Sequence, residues 1–243
     1  EPRRRARNPL RGHIKFTSVE DYLAWSPTQK SLYKQWRAAV DFQSNACLKI
    51  DPYRLGLLLG DGTTNKKAGL HTADNELVAE IYAEAEARGL QIREEHQEGN
   101  RSGSYFVTAG NATPGERWRA NSLLAELRDY GLDVPCCQKF IPHDYKTASA
   151  DDRLALLAGL IDTDGSYDPA GRGYDFCTAS ETLANDIAFV ARSLGLAAYP
   201  TPRIIKNTVY WRLFISGDVD RIPVKLFRRH AESRRINKDV TNV

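Results

Sequence analysis

The feature that most constrains the fold of this chain is a duplicated segment, an apolar run that ends in Asp-Gly. The first copy spans residues 55–62 and the second spans residues 157–165. Small residues recur four positions apart in each copy, and this spacing places them on one face of a helix. They are Gly56 and Gly60 in the first copy, and Ala155, Gly159 and Thr163 in the second. Because small side chains let two helix backbones approach closely, the sequence predicts that the two copies pack against each other.

Such packing would place two carboxylates, Asp61 and Asp164, side by side at the C-terminal ends of the helices. The C-terminal end of a helix already carries negative partial charge, and like charges repel each other. A bound divalent cation would relieve both problems. The alternative is that each Asp-Gly merely ends a helix.

The duplication continues downstream, which favours the first interpretation. Residues 72–77 recur as residues 178–183, and in each copy the helix that follows ends at a glycine. Two copies with so long a period indicate duplicated subdomains rather than a solenoid. We expect a basic N-terminal extension at residues 1–50, a first subdomain at 51–150 and a second at 151–243.

Each half reads as helix, strand, helix, two strands and a further helix. This order predicts an α+β protein in which each half forms a small curved antiparallel sheet backed by helices. In the N-terminal extension, residues 17–20 resemble a capping box, and a second helical stretch is expected to reach Trp36.

The composition limits location and partners. No apolar run approaches a membrane span, so no membrane partner is expected, and the four cysteines lack the spacing of a metal site. We expect reduced thiols and an intracellular protein, cytoplasmic or nuclear. The chain contains no Met, which suggests a processed or excised piece, or a chain whose start is not included in the sequence. Residues 1–50 and 201–243 each carry ten Lys and Arg against four acidic residues, a distribution that favours contact with a polyanion.

The two motifs resemble those of the LAGLIDADG homing endonucleases, specifically the intein-encoded (DOD) type. The second motif departs from the family's name only at Thr163. Further blocks that resemble the family in the same order are residues 31–54, 138–142 and 215–225. The splicing motifs of an intein are missing, since the chain begins with Glu1, has no Thr-x-x-His in residues 1–50 and lacks a final His-Asn. We therefore expect that this chain does not splice, whatever its parent protein does.

The resemblance implies a monomeric DNA endonuclease with internal pseudo-two-fold symmetry. Two αββαββα-like subdomains would pack through the motif helices, and their sheets would form a saddle on double-stranded DNA. The enzyme would make a double-strand cut by phosphodiester hydrolysis in a long asymmetric site. Asp61 and Asp164 would bind Mg²⁺, with two or three ions shared between these carboxylates and DNA phosphates.

Basic residues complete the site that the resemblance implies. Lys139 aligns with the family's basic catalytic residue, and Lys225 is the first choice for its counterpart in the second half. Residues 227–230 depart from the family's Lys-containing pattern, so nicking of one strand is an alternative outcome. The expected DNA contacts lie on the sheets; they are Asn65, Lys67, His71, Arg93, Arg101, Arg203, Lys206, Tyr210 and Arg212. Glu94, Glu95 and Glu98 would repel phosphate, which suggests that contacts occupy alternate positions of the first hairpin.

The sequence leaves two other functions open. One is a non-cleaving nucleic-acid binder, either an intron maturase or a decayed intein endonuclease. The other is an insert that only assists the folding of its host protein.

Overall fold

The computed structural model describes residues 14–43, 47–99, 101–110, 120–233 and 240–242. They form two compact units, one of residues 14–36 with 240–242 and the other of residues 37–233. The basic residues before position 14 and those at 234–239 lie outside the described residues. None of the described helices is both long enough and apolar enough to cross a membrane.

The smaller unit contains two short helices and a strand pair. Its elements are α1 (Val19–Ala24), α2 (Pro27–Leu32) and β1 (Lys34–Trp36), which pairs antiparallel with β10 (Val240–Asn242). Ser18, one residue after the predicted cap, accepts the hydrogen bond from the Asp21 amide. The prediction of a helix through Trp36 is wrong, because that residue lies in β1 and pairs with the distant end of the chain.

The larger unit contains the two predicted halves. The first comprises α3 (Pro52–Leu59), β2 (Gly62–Thr63), β3 (Ala68–Thr72), α4 (Asn75–Ala87), β4 (Gln91–His96), β5 (Gly103–Thr108) and α5 (Ser122–Asp129). A short helix α6 (His143–Lys146) leads to the second half, which comprises α7 (Ala150–Asp164), β6 (Gly165–Asp168), β7 (Gly173–Thr178), α8 (Glu181–Ser193), β8 (Ala197–Ile205) and β9 (Thr208–Ser216). Turns of 3₁₀ helix occur at Cys136–Gln138, Val219–Arg221 and Phe227–Arg229.

The two sheets have the same topology. The strand order is β2-β3-β5-β4 in the first and β6-β7-β9-β8 in the second, and every pairing is antiparallel. The predicted α+β fold with two pseudo-symmetric halves is therefore confirmed. In the described residues, the second half ends in 3₁₀ turns where the first half has α5.

The motif helices α3 and α7 cross in backbone contact at Gly56 and Gly159. A Cβ atom on Gly56 would lie 2.3 Å from the carbonyl oxygen of Leu156, and one on Gly159 would lie 2.0 Å from that of Tyr53. One helical turn further on, a Cβ atom on Gly60 would meet the hydroxyl of Thr163 at 1.9 Å. The predicted packing of the small-residue faces is confirmed.

Each sheet has one face against helices and one open face. In the second sheet Tyr174, Phe176, Leu213 and Ile215 are buried beneath α8. Strand side chains alternate between the faces, so the intervening residues lie on the open face. This placement decides which polar side chains can meet a ligand.

Residues 37–43 belong to the larger unit, although we expected the N-terminal extension to reach residue 50. The fully buried Arg153 of α7 donates to the Val40 carbonyl oxygen at 2.8 Å, and its guanidinium lies 4.8 Å from the ring centre of Phe42. This buried cation attaches the segment to the core.

Candidate active site

The C-terminal ends of the two motif helices open into one cavity of about 290 Å³. Asp61 follows the C-cap of α3, and Asp164 is the last residue of α7. The cavity is lined by Leu59, Gly60, Asp61, Cys136, Lys139, Asp164, Cys177, Thr178, Ala179 and Tyr210. A Cβ atom on Gly60 would lie 3.6 Å from a carboxylate oxygen of Asp164, so the end of α3 approaches that carboxylate closely. The structure therefore brings the two predicted carboxylates to one site.

Both carboxylates are less acidic than usual. Burial raises the pKa of Asp61, and the His71 ring and the Lys139 ammonium oppose this shift. Burial and then the Asp61 carboxylate raise the pKa of Asp164 to about 6. Asp164 still opens onto the cavity, where water screens part of the effect. A cation between the two carboxylates would lower both pKa values and so reverse these shifts.

Lys139 lies beneath this site as a cap on the first motif helix. Its buried ammonium donates to four carbonyl oxygens at the end of α3 and just beyond it. The acceptors are Leu58 at 2.9 Å, Leu59 at 3.1 Å, Gly60 at 3.0 Å and Gly62 at 2.7 Å. Burial lowers the pKa of Lys139 to about 8, with Asp164 opposing the shift. Its three N–H groups are shared among these oxygens, so the amine supports the helix end that carries Asp61.

The chain around Lys139 also contacts the second half. The Lys139 carbonyl oxygen accepts a hydrogen bond of 2.6 Å from Ser180, the N-cap of α8. One residue thus joins the end of α3 to the start of a helix in the other half.

Lys225 lies away from the cavity. Its amine pairs with Glu80 at 2.5 Å and lies 4.3 Å from the ring centre of Tyr53, in the first turn of α3. Asp61 follows the other end of that helix, and eight helical residues span about 12 Å. The catalytic role of Lys225 stays a prediction, which this placement does not favour.

Arg229 is a cation near Asp164 that the sequence analysis missed. Its Nε atom is buried and makes no hydrogen bond within the described residues. The charge of Arg229 opposes the rise in the pKa of Asp164. The Arg229 carbonyl oxygen accepts from the Tyr174 hydroxyl at 2.7 Å, which attaches this segment to β7. The sequence feature that could have identified Arg229 is the block at residues 227–230, which contains arginines where the family's pattern contains a lysine.

Asp162 is a buried structural carboxylate two residues before Asp164. It accepts from the Tyr53 hydroxyl at 2.7 Å and from the backbone amides of Lys225 and Leu226 at 2.7 and 3.2 Å. It therefore joins both motif helices to the closing segment of the chain.

A comparison with protein families finds a match to the second half of the chain. Residues 151–222 match a LAGLIDADG-like domain. This segment contains the second motif helix, the whole second sheet and α8.

Three curated relatives share most of the chain. A replicative DNA helicase DnaB of Mycobacterium intracellulare is 33% identical over 65% of this chain and 21% of its own length. An iron–sulfur cluster assembly SufBD family protein of Mycobacterium leprae is 27% identical over 69% of this chain and 20% of its own. The homothallic switching endonuclease of Saccharomyces cerevisiae is 27% identical over 65% of this chain and 29% of its own length. The chain thus spans less than a third of each relative.

Solved structures of the homing endonuclease I-DmoI are also similar to this chain. The complex with DNA and Mn is 12% identical with a TM-score of 0.47, and the match covers 68% of this chain and 88% of that one. The complex with DNA and Ca gives a TM-score of 0.46, with coverage of 68% and 82%.

The LAGLIDADG-like segment presents its predicted DNA contacts on one surface. The strand register places Arg203, Tyr210 and Arg212 together on the open face of the second sheet, where Arg203 pairs with Tyr210. Lys206 occupies the turn between β8 and β9 with a left-handed backbone. Their contact with DNA stays a prediction.

The first sheet places its predicted contacts less uniformly. Arg93 and His71 lie on the open face with Phe106, and the amine of Lys67 lies 4.8 Å from the ring centre of Phe106. Asn65 and Arg101 occupy loops before β3 and β5. Both ring nitrogens of His71 are within 2.8 Å of a hydroxyl, from Thr63 and Ser104.

The acidic residues of β4 alternate between the two faces of the first sheet. Glu94 turns toward α4, where it pairs with Tyr82, while Glu95 lies on the open face and pairs with Arg93 at 2.7 Å. The open face of this hairpin therefore has a neutralised acid beside its arginine.

Proposed function

We propose that the chain is a site-specific homing endonuclease that cuts both strands of DNA by metal-dependent phosphodiester hydrolysis. The observation that supports this most is the pair of carboxylates, Asp61 and Asp164, at the ends of two helices in backbone contact. Two open sheet faces with basic side chains accompany them. The similarity to the homothallic switching endonuclease points to the same function.

The carboxylate pair fits Mg²⁺. In the described part of the chain, no three His, Cys, Asp or Glu side chains form a ligand cluster. Mg²⁺ needs no such cluster, because it is commonly held by one or two carboxylates together with waters and substrate phosphates. The raised pKa of Asp164 supports this assignment, since burial and the Asp61 carboxylate outweigh the positive charges of Lys139 and Arg229. We infer that Asp61 and Asp164 would hold the ions jointly with DNA phosphates.

The residues of the chain divide the remaining tasks. A cation held by the two carboxylates would supply an activated water and stabilise the leaving 3′ oxygen. Lys139 holds the end of α3, and with it Asp61, in place. Arg229 offers positive charge beside Asp164 in the second half. This arrangement makes cleavage of both strands the expected outcome even though Lys225 is remote from the cavity.

We also propose that the chain is of the intein-encoded type. Its two mycobacterial relatives, a DNA helicase and a SufBD family protein, are named for unrelated functions. Each matches this chain over only about a fifth of its own length. A segment shared by otherwise unrelated proteins is typical of a mobile insert. Expression of the complete parent gene, followed by mass spectrometry of its products, tests this origin. A single uncleaved polypeptide would contradict it.

Cleavage of DNA containing the uninterrupted host gene tests the proposed activity. We expect fragments in the presence of Mg²⁺ and none in the presence of a chelator. Asp61→Asn and Asp164→Asn should each abolish cleavage while DNA binding is retained. Asp151→Asn, an exposed carboxylate at the opposite end of α7, is the matched control and should cut normally.

Two results would redirect the proposal. Normal cutting by both active-site variants would mean that the carboxylates are not the catalytic site. Tight binding to an intron RNA without any DNA cleavage would favour the maturase alternative.

A further inference from the structure

An arginine on the open face of the second sheet is held by a carboxylate through two of its nitrogens. The Arg212 Nε donates to the Asp175 carboxylate oxygens at 2.7 and 2.9 Å, and its Nη2 donates to the same carboxylate. Asp175 lies opposite Phe214 and Arg212 opposite Cys177, so the pair is diagonal across two neighbouring strands. Both side chains retain access to solvent.

Among the described residues, the Arg212 side chain donates only from Nε and Nη2 to Asp175, which leaves the outer edge of the guanidinium for a ligand. A guanidinium has five N–H groups in one plane, and Asp175 occupies the side formed by Nε and Nη2. The remaining N–H groups of Nη1 and Nη2 on the other edge are parallel to each other and directed away from Asp175. That edge matches the O6 and N7 acceptors that guanine presents in the major groove.

Asp175 also changes which ligand Arg212 can bind. A free surface arginine favours phosphate, whereas a carboxylate beside it repels phosphate and leaves directed hydrogen bonding to a base. Fixing a long side chain before binding reduces the conformational entropy lost in the complex. Exposed ion pairs contribute little to stability, so the stability of the fold does not explain this one.

Arg212 lies close to the proposed site of cleavage, so the base that it would read must also be close to that site. A second cavity of about 280 Å³ contains Arg212, Asp175 and Arg203, and it shares Asp164 and Cys177 with the carboxylate cavity. A cavity of this volume is about 8 Å across, or about two to three base-pair steps of about 3.4 Å each. A base bound there would lie close to the phosphate that Asp164 serves.

We propose that Arg212 reads a guanine in the second half of the DNA site and that Asp175 is the positioning residue that aims it. This inference rests on the proposed function and specifies part of its substrate. The first sheet offers a matched comparison, because Arg93 and Glu95 form a similar exposed pair. Arg93 contacts Glu95 through a single ion pair within one strand, whereas Arg212 and Asp175 lie on neighbouring strands. The Arg93 guanidinium also lies 5.5 Å from the ring centre of Phe106.

The experiment is a binding selection from a pool of long DNA duplexes with randomised sequence, followed by sequencing of the bound fraction. The wild-type chain should select guanine at one position by about tenfold or more, since a bidentate arginine contact discriminates by about five- to 150-fold. Arg212→Ala should remove the preference at that position. Asp175→Asn, which keeps the shape but loses the charge, should weaken the same preference about fivefold or more and leave other positions unchanged.

The controls separate this inference from the proposed function. Glu95→Gln should leave the guanine preference intact, and thermal unfolding should show that all variants are folded. A uniform rise in affinity for all sequences in Asp175→Asn, with no position altered, would overturn the inference, as would an Arg212→Ala effect at a position without guanine. A wild-type chain that selects no sequence would instead contradict the proposed function.

Discussion

The contact between Gly56 and Gly159 makes a quantitative prediction about helix spacing. In Gly56→Ala the new methyl group would lie 2.3 Å from the Leu156 carbonyl oxygen, whereas ordinary contact begins at 3.4 Å. The helices must therefore separate by about 1.1 Å at the crossing, and by about 1.4 Å in Gly159→Ala. The obstructing atoms belong to the backbone, so a rotamer change cannot relieve the clash.

The expected loss of stability follows from two opposing effects. A clash with backbone atoms belongs to the upper part of the overpacking range, about 2–3 kcal/mol, and Ala in place of Gly returns about 1 kcal/mol of helix propensity. We expect a net destabilisation of about 1–2 kcal/mol for Gly56→Ala, or about 2–8 °C in melting temperature for a chain of this size. The double variant should lose less than the sum of the single variants, because one separation accommodates both methyl groups.

Thermal unfolding followed by circular dichroism measures these effects. Ala79→Gly, at an exposed position within α4, calibrates helix propensity alone and should cost about 1 kcal/mol. Cleavage should fall by about a hundredfold in Gly56→Ala, since a displacement of about 1 Å at a reacting centre has that effect. A Gly56→Ala chain that melts at or above the wild-type temperature would refute the backbone contact.

Three further predictions concern side chains around the site. Burial raises the pKa of Asp164 above its usual range, to about 6, so its contribution to stability falls as pH rises from about 4 to about 6. Without metal, Asp164→Asn should therefore be more stable than the wild type at pH 7, by about 1 kcal/mol once solvent screening is included. Urea unfolding at pH 5 and pH 7 measures this difference. An unchanged difference at the two pH values would count against the shift. Lys139→Met leaves the carbonyl oxygens at the end of α3 without their shared donor. It should lower the free energy of unfolding by about 2–4 kcal/mol, measured by thermal unfolding. A variant that loses cleavage but keeps its stability would show that the role of Lys139 is chemical. Tyr53→Phe removes one hydrogen bond to the buried Asp162 and should cost about 1.5–3 kcal/mol in urea unfolding, while an undiminished midpoint would exclude that bond as a contributor.

The central helix pair could be predicted because its cause is local. Small residues at a spacing of four identify the contacting face without knowledge of the partner, and Gly56 and Gly159 lie where the pattern indicates. The strands β3 and β7 could be predicted for a similar reason, since apolar residues alternate with other residues along each short segment, as in a strand with one buried face.

Features that depend on a distant partner could not be predicted. Trp36 reads as helical in sequence, but β1 pairs with a strand at the other end of the chain. Lys225 matched a family block, yet its amine lies against Glu80 on α4 because the closing segment follows the surface of the first half. The role of Asp175 was missed because its meaning depends on Arg212, which lies on the neighbouring strand.

The identical strand order of the two sheets has a consequence for how such a protein can diversify. In a symmetric homodimer every substitution appears twice, so both halves of a recognition surface must change together. Here a single chain supplies both sheets, and each half already differs in its basic residues, Lys139 beneath one carboxylate and Arg229 beside the other. Under the proposed function, either sheet can therefore acquire a new base preference while its partner retains the old one, and exchanging one half between two such chains offers a direct route to hybrid targets.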